Sequence, residues 1–310
     1  MRKTLAFFLL LAVFSCVLCA CNSGKIHQND KITVVASLFP QYDFARQIAG
    51  DSINLTLLLP PGTESHTFDP SPKDILSISQ ADIFLYTGPE MEPWAGRIAD
   101  SISSETLLIL DVSKGISPLE DEEEHDHGDH DDHDHSVDPH IWLDPLNAQT
   151  MVQTVCDALC DKNPEMAEEY RKNAKAYQDK LSRLHEEIQN IVKDIPNNTL
   201  VFGGRFAYGH FLHRYELEAV TAYDSCSEQA EPSIVRIKEA VDYIKANNVK
   251  AVYYEELSEP KVARSIASQT GAALLLFSTA HSVSKQEFAD GITYIDVMEN
   301  NLKNIKANIS

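Results

Sequence analysis

From Asn163 to Pro196 the chain carries one helical stripe: Tyr170, Ala174, Tyr177, Leu181, Leu184, Ile188, Ile191 and Ile195 recur in alternating steps of four and three. That spacing puts every apolar side chain on one face of an α-helix. Asn163 and Pro164 have the chemistry of an N-cap and a first-turn residue, and Pro196 stops the pattern. At about 1.5 Å per residue the stretch would reach about 45 Å, more than one lobe of such a chain needs. It is therefore expected to act as a rigid strut. A free coiled coil is the alternative, but about four heptads that then stop are a short run for one.

Short apolar runs alternate with helical stretches on both sides of the strut. Strands are expected at 32–36, 53–58, 83–86 and 107–110, with helices at 40–48, 70–79, 92–101 and 145–160. Beyond it, strands at 199–202, 218–222, 251–254 and 273–277 alternate with helices at 206–215, 232–247 and 260–270, and a last helix runs over 285–306. Strands alternating with helices imply parallel sheets covered on both faces. The expected fold class is α/β: two (β/α) lobes with mainly parallel sheets, joined by one long rigid α-helix. The N-terminal lobe would span 31–160, the linking helix 161–196 and the C-terminal lobe 197–310. Ligands of open α/β sheets sit outside the carboxyl ends of the strands, so the cleft between the lobes is the expected site.

One stretch cannot fold by itself. Residues 120–135 hold five histidines (His125, His127, His130, His133, His135), ten acidic residues and no Lys or Arg. With almost nothing apolar to offset chain entropy, the segment must be a loop, 120–137, carried on the first lobe. Mixed imidazoles and carboxylates collect divalent transition metals, whereas carboxylates alone would suit calcium or magnesium. Solubility does not require histidine at every second or third position. The run is also internal, unlike an affinity tag. The net charge is −21, about half of it from this run, and such a surface attracts neither nucleic acid nor anionic lipid.

Residues 1–20 read as an export signal: Met1-Arg2-Lys3, an apolar segment, then small residues, too short for a comfortable membrane span. Leu18-Cys19-Ala20-Cys21 resembles the lipobox of bacterial lipoproteins, which makes Cys21 the expected acylated residue and 21–30 a tether. The expected location is extracytoplasmic, lipid-anchored to the bacterial cell membrane. Only Cys156, Cys160 and Cys226 then remain as thiols, which is no disulfide framework. Cys156 and Cys160, four apart on a helix, are expected in the core.

Four histidine-bearing segments fall where strands end. Residues 60–70, with His66, follow the second strand, and Asp138-Pro139-His140-Ile141-Trp142 follows the fourth. Residues 203–210, ending in His210, follow the first strand of the second lobe, and Ser278-Thr279-Ala280-His281 follows its last. The lipobox, Gly-Thr-Glu-Ser-His66-Thr-Phe-Asp-Pro-Ser-Pro, the acidic histidine loop, Asp-Pro-His140-Ile-Trp-Leu-Asp-Pro, the long helix and Glu255-Glu256 with Pro260-Lys261 together resemble the metal-binding lipoproteins of zinc and manganese ABC transporters. The resemblance covers essentially the whole mature chain.

It implies a metal held between the lobes by histidines and often a carboxylate, with His66 and His140 matching the family's two ligands from the first lobe. The second lobe departs from the pattern. Arg205 stands where the family commonly has a histidine or glutamate, and arginine cannot ligate. His210 is taken as its replacement and His281 as the last ligand, with Cys226, Glu255 and Glu256 as competitors. Glu64, Asp69, Asp138 and Glu256 are candidates to orient the imidazoles from behind; His27 and His185 are expected to be merely exposed. Histidine-rich coordination favours Zn²⁺ as the transported ion over Mn²⁺. The implied protein is a non-enzymatic, monomeric binding component that delivers zinc to an ABC permease. A zinc hydrolase would need one open position, and no His-Glu-x-x-His helix is present. An adhesin or passive metal buffer is the other alternative.

Overall fold

The computed structural model describes residues 31–309 apart from His66, Ser103, Glu105, Ser258 and residues 120–137 and 224–229. From Ile32 onward the chain clusters as a single unit. Among the described residues the strands form two four-stranded parallel sheets. The first holds β1 (Thr33–Ala36), β2 (Asn54–Leu57), β3 (Ile83–Tyr86) and β4 (Leu108–Asp111) in the order β2-β1-β3-β4. The second repeats that order as β6-β5-β7-β8, with β5 Thr199–Phe202, β6 Glu218–Thr221, β7 Ala251–Tyr254 and β8 Ala273–Leu276. In each sheet the order reverses beside the first strand, and that switch point opens a crevice at the carboxyl edge.

The helices are α1 (Phe39–Ala49), α2 (Pro72–Ser79), α3 (Pro93–Ser101), α4 (Pro145–Lys162), α5 (Ala167–Val192), α6 (Gly209–Tyr215), α7 (Ile234–Asn247), α8 (Lys261–Thr270), α9 (Lys285–Ala289) and α10 (Tyr294–Ile309). The strut is α5, with 26 residues. It starts later than Asn163 because Pro164–Met166 forms a separate 3-10 turn and the Asn163 side chain makes no cap. It also ends earlier, and Val192 rather than Ile191 completes the buried stripe. The expected last helix is two helices. Gly291, at φ 78°, separates them, and Ser284 caps α9 in a reciprocal box with Glu287.

Alternation along the strands decides which core each residue joins. Val34, Ala36, Ile83 and Leu85 of the first sheet and Leu200, Phe202, Ala251 and Tyr253 of the second bury into one shared core with α1, α4, α5 and α10. Val35 and Phe84 face outward onto α2 and α3, and Val201 and Val252 onto α7 and α8. The strut is therefore packed between the lobes and not merely strung from one to the other. Buried Asp43 of α1 binds it in place. Its Oδ2 accepts from the Tyr177 hydroxyl at 2.9 Å and from the backbone N–H of Tyr294 at 2.8 Å, while Oδ1 accepts from Arg46 at 2.6 Å. Cys156 and Cys160 are reduced and buried in this core. Among the described residues no helix is long and apolar enough to cross a membrane.

Candidate metal centre

His140 stands at the mouth of the first sheet, just before the 3-10 turn Ile141–Leu143. The turn is anchored by Trp142, wholly buried, whose indole N–H donates to the carbonyl of Thr279 at 2.7 Å, linking the two lobes beside the site. Asp138 Oδ1 accepts from both the backbone N–H and Nδ1 of His140, at 2.9 and 2.8 Å. The Nδ1 bond puts the ring proton there and the lone pair on Nε2, the tautomer a metal ligand needs. Burial raises the Asp138 carboxyl, but the bonds and charge of His140 outweigh it and hold it at about 2, so it stays ionised.

His281 arrives from the opposite sheet with its ring held in a similar way. Its Nδ1 meets Thr279 Oγ1, whose hydroxyl donates to Glu256 Oε1 at 2.7 Å. Glu256 Oε2 accepts the Thr279 backbone N–H at 2.8 Å, fixing the relay. His281 Nε2 is then the lone-pair nitrogen, and it lies 3.9 Å from Glu64 Oε1 of the first lobe. Burial pushes the His281 imidazole below its ordinary range, against the pull of Glu256 and Glu64. The neutral, ligating form is favoured. The loop is also tied down across the cleft, because the His281 carbonyl accepts from Phe39 N–H at 3.3 Å and Val283 carbonyl from Gly62 N–H at 2.8 Å.

Arg205 occupies the cleft too. Its Nη2 donates to Glu64 Oε2 at 2.9 Å and its Nε to Glu255 Oε1 at 3.2 Å, while its backbone N–H donates to Glu255 Oε2 at 3.1 Å. Arg205 follows β5 and Glu255 follows β7, the strands flanking the switch point of the second sheet. Gly203-Gly204 makes the approach possible. A Cβ on Gly204 would stand 1.7 Å from Glu255 Oε2, and one on Gly203 would stand 2.5 Å from the backbone of Ala263 in α8.

Glu64, His140, Arg205, Ala207, Glu255, Thr279 and His281 enclose a cavity of about 10 Å³. That is about one water or one ion, and too little for an organic solute. An outer vestibule of about 470 Å³ shares Glu64, Arg205 and Glu255 and adds Gly62, Tyr223, Ala230, Leu257 and Glu259. Among the described residues no three His, Cys, Asp or Glu side chains converge closely enough to hold an ion by themselves.

His66 lies outside the described residues, as do Cys226, Cys21, His27 and the five loop histidines. His210, expected as a ligand, is not among the residues that line this cavity. It is buried but sits behind Asp138, where Nε2 faces the Asp138 carbonyl at 3.1 Å and Nδ1 faces Asn147 Nδ2 at 3.3 Å. Both nitrogens are turned away from the cavity because α6 starts at Gly209 and not at Phe206, with Gly209 packed against Asp138. Asp69 is exposed. His185 is half-buried and stacks on Tyr215, not merely exposed. Sequence reasoning missed Thr279 as the support of His281 and set Arg205 aside as a non-ligand. The signal for Arg205 was a Gly-Gly pair closing a strand ahead of a charged residue.

The family of the zinc-uptake complex component A, periplasmic (ZnuA), matches residues 34–308. The chain belongs to the ZnuA family. It is 35% identical over 312 residues to the high-affinity zinc uptake system protein ZnuA of Bacillus subtilis (strain 168), covering 98% of this chain and 97% of that one. It is 32% identical to the zinc-binding lipoprotein AdcA of Streptococcus pneumoniae serotype 4, where 96% of this chain spans 60% of the relative. Among solved structures, the metal-dependent lipoprotein YcdH of Bacillus subtilis superposes with a TM-score of 0.77 at 32% identity, over 90% of this chain and 99% of that one. The Zn(II)-bound ZnuA-like domain of Streptococcus pneumoniae AdcA gives 0.75 at 28% identity, over 90% and 99%. As a ZnuA-family member the chain is a solute-binding protein of metal transport and not an enzyme.

Proposed function

We propose that this chain captures Zn²⁺ outside the cytoplasm and delivers it to the permease of an ABC importer. The observation that carries the reading is the pairing of His140 and His281. Each comes from a different sheet, each has Nδ1 committed to a carboxylate either directly or through a hydroxyl, and both line a cavity of ionic size. Zinc takes about four N, S or O ligands, and His66, His140 and His281 are the proposed imidazoles, with Glu64 Oε1 on the fourth side. His210 supports Asp138 in this reading. Three imidazole donors favour zinc over manganese, which prefers oxygen donors.

Cys21 is the proposed lipid anchor, the chain acts as a monomer, and residues 120–135 gather ions without supplying the tight site. Titration of a variant lacking residues 120–135 tests the centre. One zinc should bind per chain, and His66→Ala, His140→Ala and His281→Ala should each weaken binding by more than about 100-fold, since even changes behind a ligand cost about 10- to 100-fold. Parent-like affinity in His140→Ala and His281→Ala would overturn the reading. Zinc uptake by permease-containing vesicles should require the intact chain.

A further inference from the structure

We infer that Arg205 sets the metal preference of the cleft by limiting how many carboxylate oxygens its lining can give the ion. The inference rests on the zinc-binding reading above and concerns a residue that touches the donors and not the ion. Two carboxylates line the small cavity, and Arg205 bonds both: it takes Oε2 of Glu64, and it meets both oxygens of Glu255 through its side chain and its own backbone N–H. The guanidinium is a rigid planar fork that stays charged. Glu255 and Glu64 strengthen that charge, against the cost of burial.

The consequence is a limit on donor number. With Oε2 committed to Arg205, Glu64 can offer the cavity only Oε1, which also accepts the Ser65 N–H at 3.0 Å, as a single-oxygen ligand beside His281 Nε2. Glu255 is turned to the arginine with both oxygens. A tetrahedral ion with nitrogen ligands fits what remains, whereas a six-coordinate ion that prefers oxygen, such as Mn²⁺, would need a two-oxygen carboxylate or a second one. The cradle is built for this contact. Gly204 leaves the space that the Glu255 carboxylate fills, and Gly203 lets α8 close against the strand end. Arg205 and Glu64 come from different lobes, so the same contact fixes the width of the cleft mouth.

The test compares Zn²⁺ and Mn²⁺ affinities by competition calorimetry in the chain lacking residues 120–135, with circular dichroism confirming the fold. Arg205→Met should raise Mn²⁺ affinity relative to Zn²⁺ by 10-fold or more, and the bound Mn²⁺ should give a six-coordinate paramagnetic resonance spectrum. Adding Glu64→Gln and Glu255→Gln to Arg205→Met should return the ratio toward the parent's. A folded Arg205→Met with the parent's Mn²⁺-to-Zn²⁺ ratio overturns the inference. Should Arg205→Met not fold, Arg205→Lys decides the matter. It keeps the charge without the fork, and a shift in the same direction supports the inference, whereas an unchanged ratio overturns it. His140→Ala in the same background separates the two readings, because its loss of zinc binding upholds the site whatever Arg205→Met does.

Discussion

His140 and His281 are oriented by two different chemistries that reach one result. A carboxylate holds the first directly and a threonine hydroxyl relays a carboxylate to the second. Asp138→Asn and Thr279→Val should therefore each weaken zinc binding about 10- to 100-fold, whereas His210→Ala should cost less than either; equal losses in calorimetry would make His210 a ligand. Burial lowers the His281 imidazole from its ordinary 6.5. Its neutral form thus supports folding above pH 6.5, and that support is lost as pH falls from there through the lower folded value. Glu92 behaves in the opposite sense. Its burial, only partly offset by the Thr87 N–H bond at 2.5 Å, raises it from 4.5 to about 7. The Glu92 contribution is then full below pH 4.5 and declines as pH rises through about 7, where the buried group must ionise. Glu92→Gln should add up to about 3 kcal/mol at pH 8 and nothing at pH 4; urea unfolding at both values checks the difference. The His140 motif was legible because it is contiguous in the chain. The Arg205–Glu64 contact spans 141 residues, and no local pattern announces it.

The long helix was legible as an element but not in its environment. A period of alternating threes and fours names one apolar stripe, and the buried set Tyr170, Ala174, Tyr177, Leu181, Leu184 and Ile188 follows it. What the stripe meets is decided by other segments: α1, α4 and α10 converge on it, and Asp43 supplies the polar lock. Leu181→Ala should cost about 2 to 5 kcal/mol of stability. Tyr177→Phe should cost about 1.5 to 3 kcal/mol, because a buried charged acceptor loses one donor. Chemical denaturation with unchanged zinc stoichiometry is the expected pattern for both. The ends of elements were the poorest part of the reading. A 3-10 turn replaces the expected first turn of α5, and Gly291 breaks one expected helix into two next to a tertiary bond, Arg46 to the Ile292 carbonyl at 2.6 Å.

At the scale of the molecule, one apolar core runs through both sheets and the helices between them. Opening the cleft widely would expose that core, so zinc capture should involve small movements of the loops and little movement of the lobes. Zinc at 100 times its Kd should stabilise the chain by about 2.7 kcal/mol. Scattering should show an unchanged radius of gyration, and a large contraction would contradict the shared core. Deleting residues 120–135 should reduce weakly bound ions while leaving the fold and the tight site, and Cys21→Ala should release the protein from the membrane fraction. The α/β class, the two lobes, the strut and the contiguous histidine motifs were determined by sequence alone, because hydrophobic period and short-range spacing are properties of neighbouring residues. Only the tertiary structure decided that His210 turns away from the cavity, that Thr279 carries the bond to His281, and that Arg205 claims Glu64 and Glu255. Those outcomes depend on which carboxyl-edge loops meet across the cleft, and a buried charge must pair with whatever partner the fold brings within reach.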